Sequence, residues 1–385
     1  MKYVGDFETA TWKEDETWVW AWALCNIDTL ELEYGNSIDS FFEWIEKNHN
    51  PIIYFHNLKF DGEFILYYLM EHGYKWIKDR KERKDKTFTT LISDMGQFYS
   101  IEVFFKVGNK TVKKVVFYDS LKIIPISVED IPKAFKLEEN KLKIDYLKER
   151  KIGHVLTQEE KDYISHDVII VAKALKVLFA EKLERMTIGS NALNYFKKMI
   201  RKDRVFHYFP ELDKQVDQDI RKAYKGGFTY LNPYYEEKEV GSGVVLDVNS
   251  LYPSVMRDHK NLMPFGEPVY FKGKYEKDKF YPLYIQSLTC SFEIKKDMIP
   301  TIQLKDKHYM FSWLPNEYVT SSKNQIVNLV LTNIDLELFL KHYNVYDLTY
   351  LSGWKFKGFT GIFDEYIDHW IKEKNEATIT GNKRS

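Results

Sequence analysis

The order and spacing of apolar residues predict an α/β fold built from layers of strands and helices. Strand-like segments at 2–7, 18–24 and 52–55 are apolar and aromatic. They alternate with segments of helical spacing at 37–47 and 62–71. With 385 residues, 44% of them apolar, the chain is long enough for two or three domains with sizeable cores.

The next elements are three predicted strands and the longest predicted helix. The strands cover 88–93, 98–105 and 111–118, with a turn at Gly108-Asn109 between the last two. Thr157 and Glu160 have the spacing of a capping box, so a helix is expected to begin there. Its apolar face continues to about Met186.

Beyond this helix the pattern changes. A polar, charge-rich junction covers 201–219, and a strand is predicted at 244–248. Short β-like segments with Pro and Gly fill 264–302, and a final α/β stretch covers 324–371.

Composition excludes several protein classes. The net charge of −1 excludes a uniformly basic nucleic-acid coat, so contacts with DNA would need local patches. Two distant cysteines allow neither a disulfide framework nor a zinc motif. No apolar run approaches the ~20 residues of a membrane span, and we expect a cytoplasmic protein without a membrane partner. Aromatic residues reach 16%, which fits either stacking on unpaired bases or a ring-rich core.

Acidic residues form the most informative pattern. Asp6 and Glu8 alternate on one strand and share a face. Asp61 lies at a helix start, and Tyr163 and Asp167 lie four apart on the long helix. Each feature has a plainer explanation: acids on an edge strand, a helix cap, or a pair on a helix surface. Together, four carboxyl groups and a tyrosine match the needs of two-metal phosphodiester hydrolysis, with Mg²⁺ as cofactor and Mn²⁺ as its substitute.

Five strings carry a family resemblance. DFET, HNLKFD and YISHD resemble the three exonuclease motifs of proofreading DNA polymerases, while YKGG and DVNSLYP resemble a linker motif and polymerase motif A. Their order is similar to that of protein-primed family B DNA polymerases, the phi-29-like group of phages and linear plasmids. The resemblance implies an RNase H-like exonuclease domain with a mixed sheet, followed by a partial palm and an insertion subdomain.

The resemblance also implies roles for residues of the exonuclease part. Asp6, Glu8, Asp61 and Asp167 would hold the metals, and Tyr163 would orient the attacking water. Lys141 would support the centre by neutralising phosphate charge, with Lys143 as the alternative. The implied ligands of single-stranded DNA are Thr9, His56, Asn57, Phe60, Phe64, Ser120 and Leu121. Core packing is an equally good explanation for Phe64.

On the polymerase side, the resemblance makes Asp247 a ligand of the catalytic metals, with the backbone carbonyl of Val248 as a further ligand. Tyr252 would lie under the incoming nucleotide's sugar. In the linker motif, Tyr224, Gly226 and Gly227 would contact template DNA, since glycines let the backbone approach phosphate closely.

The expected domains follow the same order. They are the exonuclease domain at 1–187, the start of the polymerase domain at 188–301, an insertion at 302–358 similar to the first terminal-protein region, and the start of a fingers and palm segment at 359–385. The N-S-L-Y-G and T/D-T-D-S strings of the family do not follow. We therefore expect nuclease activity, but no primer extension by this chain alone.

Three hypotheses stay open from the sequence. The first is a viral or plasmid DNA polymerase with a proofreading exonuclease, acting on single-stranded and primer-template DNA with a terminal priming protein. The second is a stand-alone 3′→5′ exonuclease. The third is a subunit that binds DNA or terminal protein and assembles with a separate polypeptide carrying the missing motifs. A viral protein of this kind would work in the host cytoplasm.

Overall fold

The structure is a computed structural model that describes residues 1–10, 16–108, 111–304 and 317–379, with only the backbone at 202–203. The chain divides into two compact units. The first comprises Met1–Tyr195 with the end of the chain from Lys374, and the second comprises Phe196–Glu373. In the described part of the chain, no helix is long and apolar enough to span a membrane.

The first unit is built on an eight-stranded sheet in the order β3-β2-β1-β4-β8-β7-β6-β5. Its strands are β1 Lys2–Thr9, β2 Val19–Asn26, β3 Leu32–Gly35, β4 Ile52–Phe55, β5 Lys75–Trp76, β6 Thr87–Ile92, β7 Phe98–Val107 and β8 Val112–Asp119. The central strands β1, β4 and β8 run parallel, whereas β2 and β7 pair antiparallel with their neighbours. The sheet is therefore mixed, as the sequence predicts.

Helices cover both faces of this sheet. They are α1 Ile38–Lys47, α2 Leu58–Glu71, α3 Ile131–Phe135 and α4 Gln158–Ala180, and a further helix, α5 Ile188–Met199, follows them in the chain. Phe7 of β1 packs with α1 and α2 in one core, whereas Val4 of β1 packs with α3 and α4 in a second core. Because side chains alternate along β1, Asp6 and Glu8 face the α4 side with Val4.

Two helix boundaries differ from the sequence prediction. Helix α4 begins with the predicted Thr157–Glu160 capping box but ends at Ala180, six residues before Met186. The left-handed backbone of Lys182 (φ 65°) cannot continue an α-helix. Helix α2 begins at Leu58 rather than Gly62, directly after left-handed Asn57. Asn109, in the predicted turn, lies outside the described residues.

The second unit is centred on a four-stranded antiparallel sheet in the order β13-β10-β14-β9. The four strands of this sheet are β9 Met263–Lys272, β10 Leu283–Ile294, β13 Val327–Thr332 and β14 Tyr343–Phe359. Two short strands, β11 Ile302–Gln303 and β12 Tyr318–Val319, form a separate antiparallel pair. The helices of this unit are α6 Lys202–Tyr208, α7 Lys214–Lys222, α8 Leu251–Arg257, α9 Asn333–His342 and α10 Asp364–Ile379. The predicted junction at 201–219 thus contains α6 and most of α7.

The strand predicted at 244–248 is wrong. This segment has no regular secondary structure, and the side chain of Val245 is 98% exposed. A strand needs a neighbour to pair its backbone groups, and no described strand pairs with this segment. Its β-prone composition alone is therefore not sufficient to form a strand.

Candidate active site

A cleft of about 260 Å³ opens between β1 and α4 in the first unit. It collects residues from β1, α2, α4 and the irregular segment before α4, and most of them were predicted to be functional. The lining residues are Val4, Gly5, Asp6, Phe7, Glu8, Thr9, His56, Phe60, Val128, Lys141, Tyr146, Tyr163, Asp167, Val168 and Val171.

Each of the four acids reaches this region from a rigid element. Asp6 and Glu8 project from the same face of β1, and Asp167 lies one helical turn after Tyr163 on α4. Asp61 lies in the first turn of α2, where its Oδ1 accepts a hydrogen bond from the Phe7 backbone N–H at 3.1 Å. The helix-cap explanation for Asp61 is thus insufficient, because its carboxylate ties α2 to β1.

The electrostatics of the cleft favour protonated or cation-bound acids. Burial and the neighbouring Asp167 carboxylate raise the pKa of Asp6 to about 7. Burial and the charge of Asp6 also raise the pKa values of Glu8 and Asp61 well above their ordinary range. Burial raises the pKa of Asp167 as well, although Lys141 opposes that shift. Such mutual repulsion is relieved when a cation binds between the carboxylates.

Lys141 supplies one positive charge to this cleft. Its Nζ lies 2.9 Å from Oδ2 of Asp167. Burial alone would lower the pKa of Lys141, but the hydrogen bond to Asp167 and the charges of Asp167 and Asp6 together raise it. The other oxygen, Asp167 Oδ1, is buried and has no hydrogen-bond partner among the described residues. Of the two candidate lysines, Lys141 lines the cleft and Lys143 does not.

The donor set fits a hard divalent cation such as Mg²⁺. Three carboxyl groups line the cleft, a fourth, that of Asp61, interacts with Asp6, and the buried Oδ1 of Asp167 lacks a partner among the described residues. Carboxylate oxygens are the ligands that Mg²⁺ prefers. As placed, however, no three acidic, His or Cys side chains within the described ranges converge closely enough to enclose a single ion. The residues therefore match the predicted cofactor in chemistry, while their geometry is that of an open cleft.

Tyr163 lies deep in the cleft and is paired with a second tyrosine. Its hydroxyl lies 2.5 Å from the hydroxyl of Tyr146, and burial together with the charge of Glu8 raises the pKa of Tyr163. Tyr163 is therefore a neutral phenol that can donate a proton to a hydrogen bond in the cleft. Sequence analysis missed Tyr146, which lies in a segment without periodicity; its position five residues after Lys141 was the available signal.

The loops after β4 and β8 lie side by side and are joined by hydrogen bonds. The buried carboxylate of Asp119 accepts from the backbone N–H groups of Asn57 (3.1 Å) and Leu121 (3.0 Å). His56 Nε2 donates to the Ile126 carbonyl at 2.8 Å, and His56 Nδ1 lies 3.0 Å from the Ser120 hydroxyl. Burial lowers the pKa of His56, so its ring is neutral at physiological pH.

Asp119, which sequence analysis missed, thus joins two of the predicted DNA ligands, Asn57 and Leu121, while two others, His56 and Ser120, contact each other directly. The sequence feature that could have identified Asp119 is its position at the end of a predicted core strand, directly before Ser120 and Leu121. Thr9 lines the cleft and is buried, with its carbonyl accepting from Trp20 Nε1 at 3.3 Å.

The two phenylalanines of α2 differ in environment. Phe60 lines the cleft and is 50% exposed, whereas Phe64 is partly buried against the core between α1, α2 and the sheet. Their ring centroids are 5.7 Å apart. Phe64 therefore packs against the core and also contacts the exposed ring of Phe60, so its surroundings are compatible with both interpretations, core packing and stacking.

The residues predicted on the polymerase side lie in the second unit, in an exposed segment. Asp247, Val248 and Tyr252 are exposed, as are Tyr224 and the two glycines of the YKGG string. A Cβ added at Gly227 would lie 3.4 Å from the Tyr252 hydroxyl, so these two predicted motifs are neighbours. Between the glycines and Tyr224, Lys225 binds the Thr301 carbonyl and the Asp335 carboxylate, each at 3.2 Å.

Comparison with known proteins gives consistent matches. Residues 44–385 match the family model of DNA polymerase type B, organellar and viral. The chain is 46% identical over 380 residues to the DNA polymerase of Bacillus phage phi29, covering 98% of this chain and 64% of that protein. It is 33% identical over 402 residues to the DNA polymerase of Streptococcus phage Cp-1, covering 99% of this chain and 67% of the relative.

Solved structures give the same picture. Phi29 DNA polymerase complexed with primer-template DNA and incoming nucleotide substrates matches with a TM-score of 0.87 and 45% identity, covering 96% of this chain and 64% of that one. The same polymerase complexed with single-stranded DNA matches with a TM-score of 0.83 and 44% identity, covering 96% and 63%. This chain spans about 64% of the length of the phi29 relative.

Proposed function

Because this chain belongs to the family of organellar and viral type B DNA polymerases, and within it resembles the phi29-like protein-primed group, we propose that its acidic cleft is a 3′→5′ exonuclease site. The substrate is the 3′ end of single-stranded DNA. One observation carries the proposal: three carboxyl groups with raised pKa values, those of Asp6, Glu8 and Asp167, line one open cleft together with a lysine and a tyrosine. The buried carboxyl group of Asp61, whose pKa is also raised, interacts with Asp6.

The roles follow from the chemistry of each group. Asp6, Glu8, Asp61 and Asp167 would hold divalent metal ions, Mg²⁺ or Mn²⁺ in its place. When bound, such ions activate water and stabilise the leaving 3′-oxygen. Tyr163, a neutral phenol at the wall of the cleft, would orient the attacking water. Lys141 would neutralise charge on the phosphate, because its ammonium already lies in the acidic region.

The DNA end would enter along the loops that Asp119 joins. Exposed Phe60 offers a ring on which a terminal base can stack. Asn57 and Leu121 flank this entrance, held by the hydrogen bonds of their backbones to Asp119. Thr9, His56, Phe64 and Ser120 complete the proposed set of DNA ligands.

The test is cleavage of single-stranded DNA labelled at its 5′ end, in the presence of Mg²⁺. Wild-type protein should produce a ladder of products shortened from the 3′ end. The variant carrying Asp6→Ala and Glu8→Ala should not, since the metals lose two shared ligands. Equal ladders from the two proteins would refute the assignment.

We further propose that the second unit serves DNA-directed DNA synthesis. The relatives named above are DNA polymerases, and the DVNSLYP string, which contains Asp247 and Tyr252, resembles polymerase motif A. Asp247 and the Val248 carbonyl would bind metal, Tyr252 the nucleotide sugar, and Tyr224, Gly226 and Gly227 the template. The proposed domains are 1–187, 188–301, 302–358 and 359–385, with 302–358 as the surface for a priming protein.

Primer extension tests this second proposal. Incorporation of labelled dNTPs on primer-template DNA is measured with this chain, with and without a polypeptide covering the rest of a relative's length. Whatever incorporation is observed should disappear in Asp247→Ala and persist in the Asp6→Ala, Glu8→Ala protein. A stand-alone nuclease is the alternative, and it would cleave DNA under every condition without incorporating dNTPs.

A further inference from the structure

The segment 137–157 between α3 and α4 contains no helix or strand, yet it carries two groups that reach the acidic cleft. Lys141 binds Asp167, and Tyr146 binds Tyr163 through their hydroxyls. An irregular segment of this length does not hold side chains accurately unless other contacts fix its backbone. The contacts of Arg150, near its end, meet this need.

Arg150 is a buried cation whose contacts surround Tyr146. Its guanidinium Nη1 donates to the backbone carbonyls of Asp145 (2.9 Å) and Lys148 (3.1 Å), one on each side of Tyr146. Its Nε donates to Oε1 of Glu160 at 2.6 Å. The side chains of Arg150 and Glu160 are each only 2% exposed. Arg150 therefore fixes the backbone turn that presents the Tyr146 hydroxyl.

Glu160 connects this turn to α4. Its second oxygen accepts from the Thr157 backbone N–H at 3.0 Å and lies 2.7 Å from His154 Nε2. Burial alone would raise the pKa of Glu160, but the hydrogen bonds from Arg150 and Thr157 lower it to about 2, so the group is ionised. Since Glu160 precedes Tyr163 by three residues, one carboxylate links the irregular segment to the helical turn that carries Tyr163.

Arg150 also contacts the sheet, through two tryptophans of the β2 region. The Arg150 guanidinium lies over the Trp20 ring, 4.5 Å from its centroid. Trp20 donates through Nε1 to the Thr9 carbonyl at the end of β1, and Trp18 donates through Nε1 to the Arg150 carbonyl at 3.0 Å. Arg150, itself in the irregular segment, thus contacts α4 directly through Glu160 and is connected to β1 through Trp20.

We propose that Arg150, held by Glu160, is a positioning residue of the exonuclease site: it fixes Tyr146 so that the paired hydroxyls of Tyr146 and Tyr163 have one geometry. The inference rests on the nuclease function proposed above. A buried ion pair adds little net stability, because desolvation offsets the attraction, so a role in fixing geometry accounts better for its place. Lysine cannot replace arginine, because its single ammonium lacks the planar fork that binds three acceptors at once.

The experiment compares Arg150→Lys with Lys151→Gln, an exposed neighbour in the same segment. On 5′-labelled single-stranded DNA with Mg²⁺, Arg150→Lys should lower kcat by about 10- to 100-fold with little change in KM, as expected for misplacement of a group by a fraction of an ångström. Lys151→Gln should match wild type. A wild-type kcat for Arg150→Lys would overturn the proposal.

A double-mutant cycle separates positioning from general destabilisation. In a Tyr146→Phe background, Arg150→Lys should cost little more, because the hydroxyl it positions is already gone. If the losses from Arg150→Lys and Tyr146→Phe multiply, the residues act independently and the proposal is wrong. Should Arg150→Lys not fold, His154→Ala removes one contact to Glu160 without leaving a buried charge, and the same cycle applies with a smaller loss.

Hydrogen exchange distinguishes failure of this inference from failure of the proposed function. Backbone amides of 141–149 should exchange faster in Arg150→Lys than in wild type and Lys151→Gln, with exchange in β1 and β4 unchanged. If wild type does not cleave DNA, the nuclease proposal fails, and faster exchange in Arg150→Lys would still show that Arg150 fixes the segment that carries Tyr146. If wild type cleaves DNA but the exchange rates and kcat of Arg150→Lys equal those of wild type, only the positioning role of Arg150 is refuted.

Discussion

The acidic cleft of the first unit and the Asp247 segment of the second differ in how their functional groups are held. In the cleft, Asp167 binds Lys141 and Tyr163 binds Tyr146, while Asp61 beside it binds the β1 backbone. Asp247 instead lies in an exposed segment without secondary structure. Preorganised groups stabilise a transition state far better than groups that must first be ordered. Motif strings of one family therefore lie in two different surroundings here, a cleft whose groups are held by mutual contacts and an exposed segment.

The largest expected effect separates the two regions directly. Asp167→Ala should lower the proposed exonuclease activity by several orders of magnitude, because it removes a proposed metal ligand and the carboxylate that binds Lys141. Asp247→Ala is the matched control, an acid lost from the other region, and should leave the rate unchanged. The measurement is the initial rate on 5′-labelled single-stranded DNA. Similar losses from both variants would break the comparison.

A smaller effect is expected at Tyr163, one of the two tyrosines that line the cleft. Tyr163→Phe removes one orienting hydrogen bond but no metal ligand, so its loss in kcat should be on the order of 10²-fold. Tyr67→Phe, which removes the hydroxyl of an exposed tyrosine on α2, serves as the control. If Tyr163→Phe were as damaging as Asp167→Ala, the water-orienting role would have to be replaced by a structural one.

The two candidate lysines give a sharper test of the cleft. Lys141→Gln should lower the cleavage rate by about tenfold, a modest loss because its side chain is 34% exposed and water screens its charge. Lys143→Gln should have no effect. Rates measured at two salt concentrations would check the electrostatic origin, since the Lys141 contribution should shrink at higher salt. A larger loss from Lys143→Gln would reverse the assignment.

The smallest expected effect is a change with pH in the stability of the metal-free protein. Burial and Asp167 raise the pKa of Asp6 to about 7. Between about pH 4 and pH 7, the folded protein therefore keeps a proton that the unfolded chain has lost, and stability falls as pH rises. Asp6→Asn removes this titration, so its Tm relative to wild type should increase from about pH 5 to about pH 8 with EDTA present. A constant Tm difference would contradict the shift.

Much of the first unit could be predicted because local rules and tertiary packing agree there. Alternation along β1 placed Asp6 and Glu8 on one face, and the Thr157–Glu160 pattern marked the start of α4. The segment at 244–248 shows the opposite case, because its β-prone residues have no partner strand in the described structure.

Tyr146, Asp119 and Arg150 could not be predicted for a different reason. Each lies at the end of a strand or in an irregular segment, where no periodicity indicates which groups it meets. Arg150 contacts Trp20, 130 positions earlier in the chain, and Asp119 contacts Asn57, 62 positions earlier. Such contacts follow from the fold as a whole, whereas the four acids were found from short motifs.

Binding of Mn²⁺, followed by electron paramagnetic resonance, tests the central claim most directly. Wild type and Asp247→Ala should bind Mn²⁺ in the cleft with similar affinity, since Asp6, Glu8, Asp61 and Asp167 are intact in both. The Asp6→Ala, Glu8→Ala protein should lose this binding while keeping its fold by circular dichroism. Undiminished Mn²⁺ binding by the double variant, or loss of binding in Asp247→Ala, would contradict the account.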